Sequence, residues 1–262
     1  MPSARPLGDI TGSSDSRDVL AHATRQAAAG HDDYFVVDID AHVSEDHFWS
    51  EVIDLIDNDV LRQIGQAQNK GFAGANALLN ISPGLSLQSV GGRIGHQGRR
   101  ESIDSSDAHR FVATARRGMD ALGVDYQVVF PSAMLLLGMH PQDDVEVALA
   151  GAFNRWMIER ILPDDTRLKG LLYLPFNTPE ACEELLERYA AAEGVIGFTV
   201  CSTRNKPVHH NAYMRLYAAI QSSGKTIVGV SISPSPHLGT RRRHRTGDPI
   251  GPAGDPSSRR PR

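Results

Sequence analysis

The chain has 262 residues, 40% of them hydrophobic and 22% charged, with a formal net charge of −4. That is ordinary for a folded protein, and so modest a negative charge excludes a wholesale polyanion binder. No apolar run approaches the roughly 18 residues of a membrane span, and two cysteines, Cys182 and Cys201, are too few for a disulfide framework. A reducing, cytoplasmic setting with both thiols packed inside is expected.

Residues 1–31 are polar, rich in Ala and Ser, and lack the apolar core of a secretory signal, so they read as a flexible leader. Tyr34-Phe-Val-Val-Asp-Ile-Asp40 is short, apolar and β-branched, and predicts a buried strand. Residues 45–64 set Val52, Ile53, Leu55, Ile56, Val60 and Leu61 among charges and predict a helix. Gly, Ser, Asn and Gln then dominate over 65–106, the mark of a loop insertion; long loops in compact domains often carry function.

A regular alternation follows. Phe111, Ala115, Met119 and Leu122 share a helical face within 107–122, and Gly123 supplies a C-terminal cap. The pattern predicts a strand over 126–130, a helix over 143–162 stopped by Pro163, and a strand over 168–174. Thr178-Pro179-Glu180 offers an N-cap, a first-turn proline and a first-turn acid to a helix running to 193. A strand over 195–200, a helix over 211–223 and a fifth strand over 226–232 complete the series.

Strands alternating with helices imply parallel strands joined by right-handed crossovers. Such strands suit either an open doubly wound sheet or part of a closed barrel, and the pattern leaves both open. No glycine-rich phosphate loop follows the first strand, which argues against a dinucleotide-binding sheet. Residues 233–262 are rich in Pro, Arg, Gly and Ser without apolar periodicity, and disorder is expected there. The basic cluster Arg241-Arg-Arg-His-Arg245 could contact nucleic acid, but a solvated tail is the preferred reading.

The chemistry-bearing motif is Asp38-Ile-Asp-Ala-His42, at the end of the first strand. Strand side chains alternate, so 38, 40 and 42 are expected on one face. A carboxylate and an imidazole two residues apart can converge on one cation, and such ligands suit Zn²⁺ or Mn²⁺. Asp38, deeper in the apolar run, is read as supporting the site from behind. His209-His210, His140 and Arg204 are secondary candidates, each read first as a capping or loop residue; Trp49 and Trp156 are read as packing groups.

Val37-Asp-Ile-Asp-Ala-His-Val-Ser-Glu45 resembles the opening of the amidohydrolase-related family that includes aminocarboxymuconate-semialdehyde decarboxylase and γ-resorcylate decarboxylase. The likeness continues through Met119-Asp-Ala-Leu-Gly-Val-Asp-Tyr-Gln-Val-Val-Phe-Pro131, Phe153-Asn-Arg-Trp156 and Arg167-Leu-Lys-Gly-Leu-Leu-Tyr-Leu-Pro175. It implies an α/β fold, an incomplete (β/α)₈ TIM barrel with about five of eight strand–helix units over 32–232, flanked by the leader at 1–31 and the tail at 233–262. It implies a divalent metal, Zn or Mn, with Asp40 and His42 at two ligand positions. Family sites add histidines after strands five and six and an aspartate after strand eight; Ser231 stands where the first of these belongs.

The implied function is a metal-dependent hydrolase or carboxy-lyase acting on a small organic acid or ring substrate, expected to be impaired by C-terminal truncation of the barrel and the ligands lost with it. A catalytically inactive fragment is the alternative, and nucleic-acid contact through the tail ranks last. Codons exist for Gly229-Val-Ser-Ile232 that spell Gly-Phe-His in a shifted frame, so an out-of-frame tail is expected. An open barrel edge also predicts self-association or aggregation, with no membrane partner.

Overall fold

Apolar runs bounded by glycines and polar turns form β1 (Val37–Val43), β2 (Tyr126–Pro131), β3 (Leu168–Tyr173), β4 (Val195–Cys201) and β5 (Thr226–Val230). Every neighbouring pair is parallel, and the spatial order follows the chain, β1-β2-β3-β4-β5. A doubly wound sheet reverses its strand order at a switch point; this sheet does not. Right-handed crossovers in unbroken order keep adding helices to the same face, which is how a barrel winds. The fold is therefore α/β, a curled half-barrel of five strands with helices between them.

The computed structural model describes residues 16–30, 34–69, 108–201 and 206–230. Most of the 65–106 insertion, Arg204, Ser231 and the whole unit Ser233–Arg262 lie outside the described residues. The helices are α1 (Ser16–Gly30), α2 (Trp49–Asp54), α3 (Asp59–Asn69), α4 (Arg110–Leu122), α5 (Asp143–Trp156), α6 (Pro179–Tyr189) and α7 (Met214–Ser222). Among the described residues no helix is long and apolar enough to cross a membrane.

The core is centred on α5 and the middle strands. Leu149, Phe153 and Trp156 on α5 are fully buried with Leu171 and Leu172 of β3 and Phe198 of β4. Each such side chain gains about 1.5–3 kcal/mol by leaving water. Asn154 adds a directional lock. Its Nδ2 donates to the Tyr173 carbonyl at 2.9 Å, and its Oδ1 accepts the Tyr173 N–H at 2.9 Å. This buried amide fixes the height of α5 against β3.

Several elements depart from the sequence pattern for physical reasons. The first strand lies at 37–43, three residues later than expected, and is buried only at its end: Val43 is fully buried, Ile39 is 70% exposed, and Tyr34 and Phe35, just before the strand, are at least as exposed. Apolarity alone located a strand, but pairing with β2 sets its register, and β1 has a partner on one side only among the described residues. The helix expected over 45–64 breaks at Asn58, whose Oδ1 accepts the Leu61 N–H at 3.0 Å and restarts the chain as α3. That helix runs on to Asn69, into the segment read as loop. Half of the segment read as a leader is α1, which packs against α4 and buries Ala27. Thr178 precedes α6 as expected, yet its hydroxyl makes no cap and is buried without a partner.

Gly197 is where β4 approaches β5 closely. A Cβ there would collide with the Thr226 carbonyl oxygen, whereas one at Gly229 would meet nothing within 4 Å. G197A should therefore force β4 and β5 apart and cost about 1–3 kcal/mol. G229A should change stability little. Urea denaturation of both variants checks this, and equal midpoints would contradict it.

Candidate functional site

Parallel strands bring their C-terminal ends to one rim, where barrel enzymes carry their chemistry. At β1 that end holds Asp40 and His42. Their side chains converge, with His42 Nε2 3.6 Å from Asp40 Oδ1. The Asp40 side chain is 85% exposed and that of His42 38% exposed, so their attraction adds little stability. Two donors bound to one tetrahedral zinc at about 2.0–2.1 Å stand about 3.4 Å apart. The observed gap is close to that, so the pair fits two ligand positions of one ion.

The His42 ring is held on two sides. The Phe130 ring lies 4.2 Å away between centroids, and Nδ1 is 3.2 Å from Ser132 Oγ. Both contacts follow from register, since His42 pairs with Phe130 and Val43 with Pro131. With Nδ1 engaged, Nε2 is left to face Asp40.

Asp38 does not join them. Strict alternation was expected to put 38, 40 and 42 on one face, but the register slips by a residue between Asp38 and Ala41. Such a bulge re-aims side chains. Asp38 Oδ2 accepts from Gln127 Nε2 at 3.2 Å, and its Oδ1 accepts the Asp40 N–H at 3.0 Å. It braces the backbone of the pair, half-buried at the strand edge.

Sequence reasoning passed over Glu45 and Ser132. Glu45 is fully buried, and its carboxylate accepts the backbone N–H groups of Ser132 at 2.9 Å and Met134 at 2.6 Å. An acid three residues past His42 was visible in the motif. Its partners were not, because they are backbone groups 87 and 89 residues away. Among the described residues no three or more His, Cys, Asp or Glu side chains form a metal cage.

The secondary candidates lie elsewhere. His209 and His210 are exposed, and His210 Nδ1 accepts the Ala212 N–H at 3.1 Å as a helix cap. His140 is buried in the turn before α5, where Nδ1 accepts the Gln142 N–H at 3.1 Å. Trp49 and Trp156 are buried, and Trp156 Nε1 donates to Glu51 at 2.9 Å. Cys182 and Cys201 are buried and not joined in a disulfide; burial, helped by Glu146, raises the Cys182 thiol and keeps it unreactive.

A second buried carboxylate was also missed. Glu146 of α5 is 1% exposed and accepts from the Tyr173 hydroxyl at 3.1 Å and from Asn177 Nδ2 at 2.9 Å. Asn177 Nδ2 also donates to the Gly138 carbonyl at 2.7 Å, tying the segment after β3 to the segment after β2. Desolvation raises the Glu146 carboxyl to about 7, against the opposing bonds from Asn177 and Tyr173 and with repulsion from Asp143.

No protein-family model and no curated protein matches the chain. Among solved structures it is similar in shape to a 2,6-dihydroxybenzoate decarboxylase complexed with 2,6-dihydroxybenzoate, at 14% identity and a TM-score of 0.43. It is similar also to the 2,6-dihydroxybenzoate decarboxylase from Rhizobium, at 15% identity and a TM-score of 0.43. Each match covers 78% of this chain and 51% of the other, so this chain spans about half the length of those enzymes.

The Glu146 shift has a definite sign. The folded carboxyl titrates near 7 and the unfolded one near 4.5, so folding favours the protonated form. Its contribution is fully present below pH 4.5 and is lost as the pH rises through 7. Stability should fall by up to about 3 kcal/mol across that interval. E146Q can turn its amide to satisfy both Tyr173 and Asn177 and should flatten the profile. Thermal melts of both proteins from pH 4.5 to pH 8 check this; parallel profiles would contradict it.

Proposed function

We propose that the chain carries the β1 share of a divalent metal centre in an amidohydrolase-type barrel, with hydrolase or carboxy-lyase chemistry on a small organic acid or ring compound. The observation that supports it is the convergence of Asp40 and His42 at the C-terminal rim, with the second imidazole nitrogen held by Ser132. Capture of the non-ligating nitrogen is the usual outer support of a metal-bound histidine. The motif blocks around 37–45, 119–131, 153–156 and 167–175 support the family in this reading, and the convergence of Asp40 and His42 supports the choice of residues.

A Zn²⁺ or Mn²⁺ ion held there would polarise a substrate oxygen and lower the pKa of bound water. Asp40 would offset the ion's charge, and His42 would offer a neutral nitrogen in a fixed direction. Phe130 presses on one face of that ring and limits its rotation. The open side of the pair faces solvent, which gives a small molecule access. Further ligands would come from segments outside the described five strands.

Isothermal titration of the full chain with Zn²⁺ and with Mn²⁺ tests the proposal. Weak binding is expected from a two-ligand share. D40A and H42A should each lower affinity about tenfold or more, a loss of about 1.4 kcal/mol. H209A should leave it unchanged. Binding that ignores D40A and H42A would remove the site, and no binding at all would favour an inactive fragment.

A further inference from the structure

We propose that Glu146, Tyr173 and Asn177 form a proton-operated latch between the segments that leave β2 and β3, closed over a protonated Glu146 and opening more often as that carboxyl ionises. None of its bonds involves Asp40, His42 or Ser132, so it does not rest on the metal-centre reading.

Glu146 is almost fully buried, and its bonding partners are neutral. Oε1 accepts the Tyr173 hydroxyl, and Oε2 accepts one proton of the Asn177 amide. The other amide proton goes to the Gly138 carbonyl. An amide nitrogen carries two protons, so one Asn177 group spans both segments and spends both donors on them. The helix beneath is fixed: α5 is buried through Leu149 and Phe153 and locked to β3 by Asn154. The segments move more readily, since 133–139 and 174–178 lie outside the ladder bonds of the sheet. Glu45 holds the first of them at Ser132 and Met134, which leaves Gly138 at its looser end.

A neutral Glu146 keeps both of its bonds, because the Tyr173 hydroxyl accepts as well as donates. An ionised one keeps them too but sits without water, which is costly. Desolvation accordingly raises this carboxyl to about 7, while Asn177 and Tyr173 pull the other way. The titratable groups around it supply no permanent cation among the described residues. Asp143, on the same helix, repels it. Burial holds the Tyr173 hydroxyl of β3 and the Cys182 thiol of α6 protonated, and Cys201 of β4 is within electrostatic reach of Tyr173. In the turn before α5, His140 Nδ1 is taken up by the Gln142 N–H, and α2 meets α5 at its far end, where Glu51 accepts from Trp156. Opening admits water to the carboxylate, so ionisation favours the open form.

Amide hydrogen exchange on the full chain tests this, read as protection factors at pH 5 and pH 8, with and without low urea. The reporters are the His140 N–H, bonded to the Leu137 carbonyl, and the Thr178 N–H, bonded to the Pro175 carbonyl. The Gly170 N–H, bonded to the Gly194 carbonyl, reports the sheet. Protection at His140 and Thr178 should fall roughly 70-fold from pH 5 to pH 8, for a carboxyl that titrates near 7 when closed and near 4.5 when open. Low urea should leave that exchange unchanged, because a local opening exposes little surface. Gly170 should stay better protected and respond to urea. E146Q should abolish the fall, and Y173F, which removes a donor to the carboxylate, should move it to higher pH.

His140 and Thr178 exchanging only together with Gly170, at the same urea dependence, would overturn the latch, because the charge would then act through whole-chain unfolding alone. A fall that survives in E146Q would pass to His140 and overturn it equally. Should E146Q not fold, the wild-type reporters and Y173F decide, and a fall that Y173F leaves in place contradicts the latch.

Discussion

Backbone groups buried at the ends of strands must find partners that the ladder no longer provides. In this chain side chains provide them. Asn154 closes both backbone bonds of Tyr173, Glu45 takes the N–H groups of Ser132 and Met134, and Asn177 donates to the Gly138 carbonyl. At the start of β1, Asp125 Oδ2 accepts the Val36 N–H at 2.7 Å. These polar contacts cost too much to leave unmade, so they fix where each helix and turn meets the sheet. The rim on which Asp40 and His42 sit is a product of that constraint. Ser132 reaches His42 because Glu45 holds the turn that carries it.

Burial is uneven across the sheet. β3 and β4 are covered along nearly their whole length, whereas β1 and β5 are largely exposed or half-buried. Large apolar groups at the outer edge, Tyr34, Phe35 and Ile39, gain little from folding where they stand. The candidate site therefore lies at the less covered side of the sheet. Its precision comes from Glu45, Ser132 and Phe130, which belong to buried or partly buried neighbours, and not from the cover over β1 itself. Local support of this kind can keep a pair of ligands oriented on an otherwise exposed strand.

Much of the fold was legible in the sequence. The strands at 126–131, 168–173, 195–201 and 226–230 fall within a few residues of their expected places, because continuous apolar runs between glycines and polar turns mark buried parallel strands. The alternation of elements alone left barrel and doubly wound sheet open, since order is a property of pairing and not of pattern; the family resemblance of the motif blocks pointed to the barrel, and the strand order agrees. The same limit explains β1: composition found it, but register moved it and introduced the slip after Asp38. Asp40 and His42 were readable as a motif. Glu45, Ser132 and the Glu146 cluster were not, because their roles depend on partners that only the fold brings near.

The account turns on Asp40 and His42 acting as two ligands of one divalent ion. Anomalous diffraction from crystals of the full chain soaked in Zn²⁺ addresses this directly. The account predicts a peak within bonding distance of both His42 Nε2 and Asp40 Oδ1, with Nδ1 still against Ser132. A peak bound to other residues, such as the exposed His209 and His210, with none between Asp40 and His42, would contradict it.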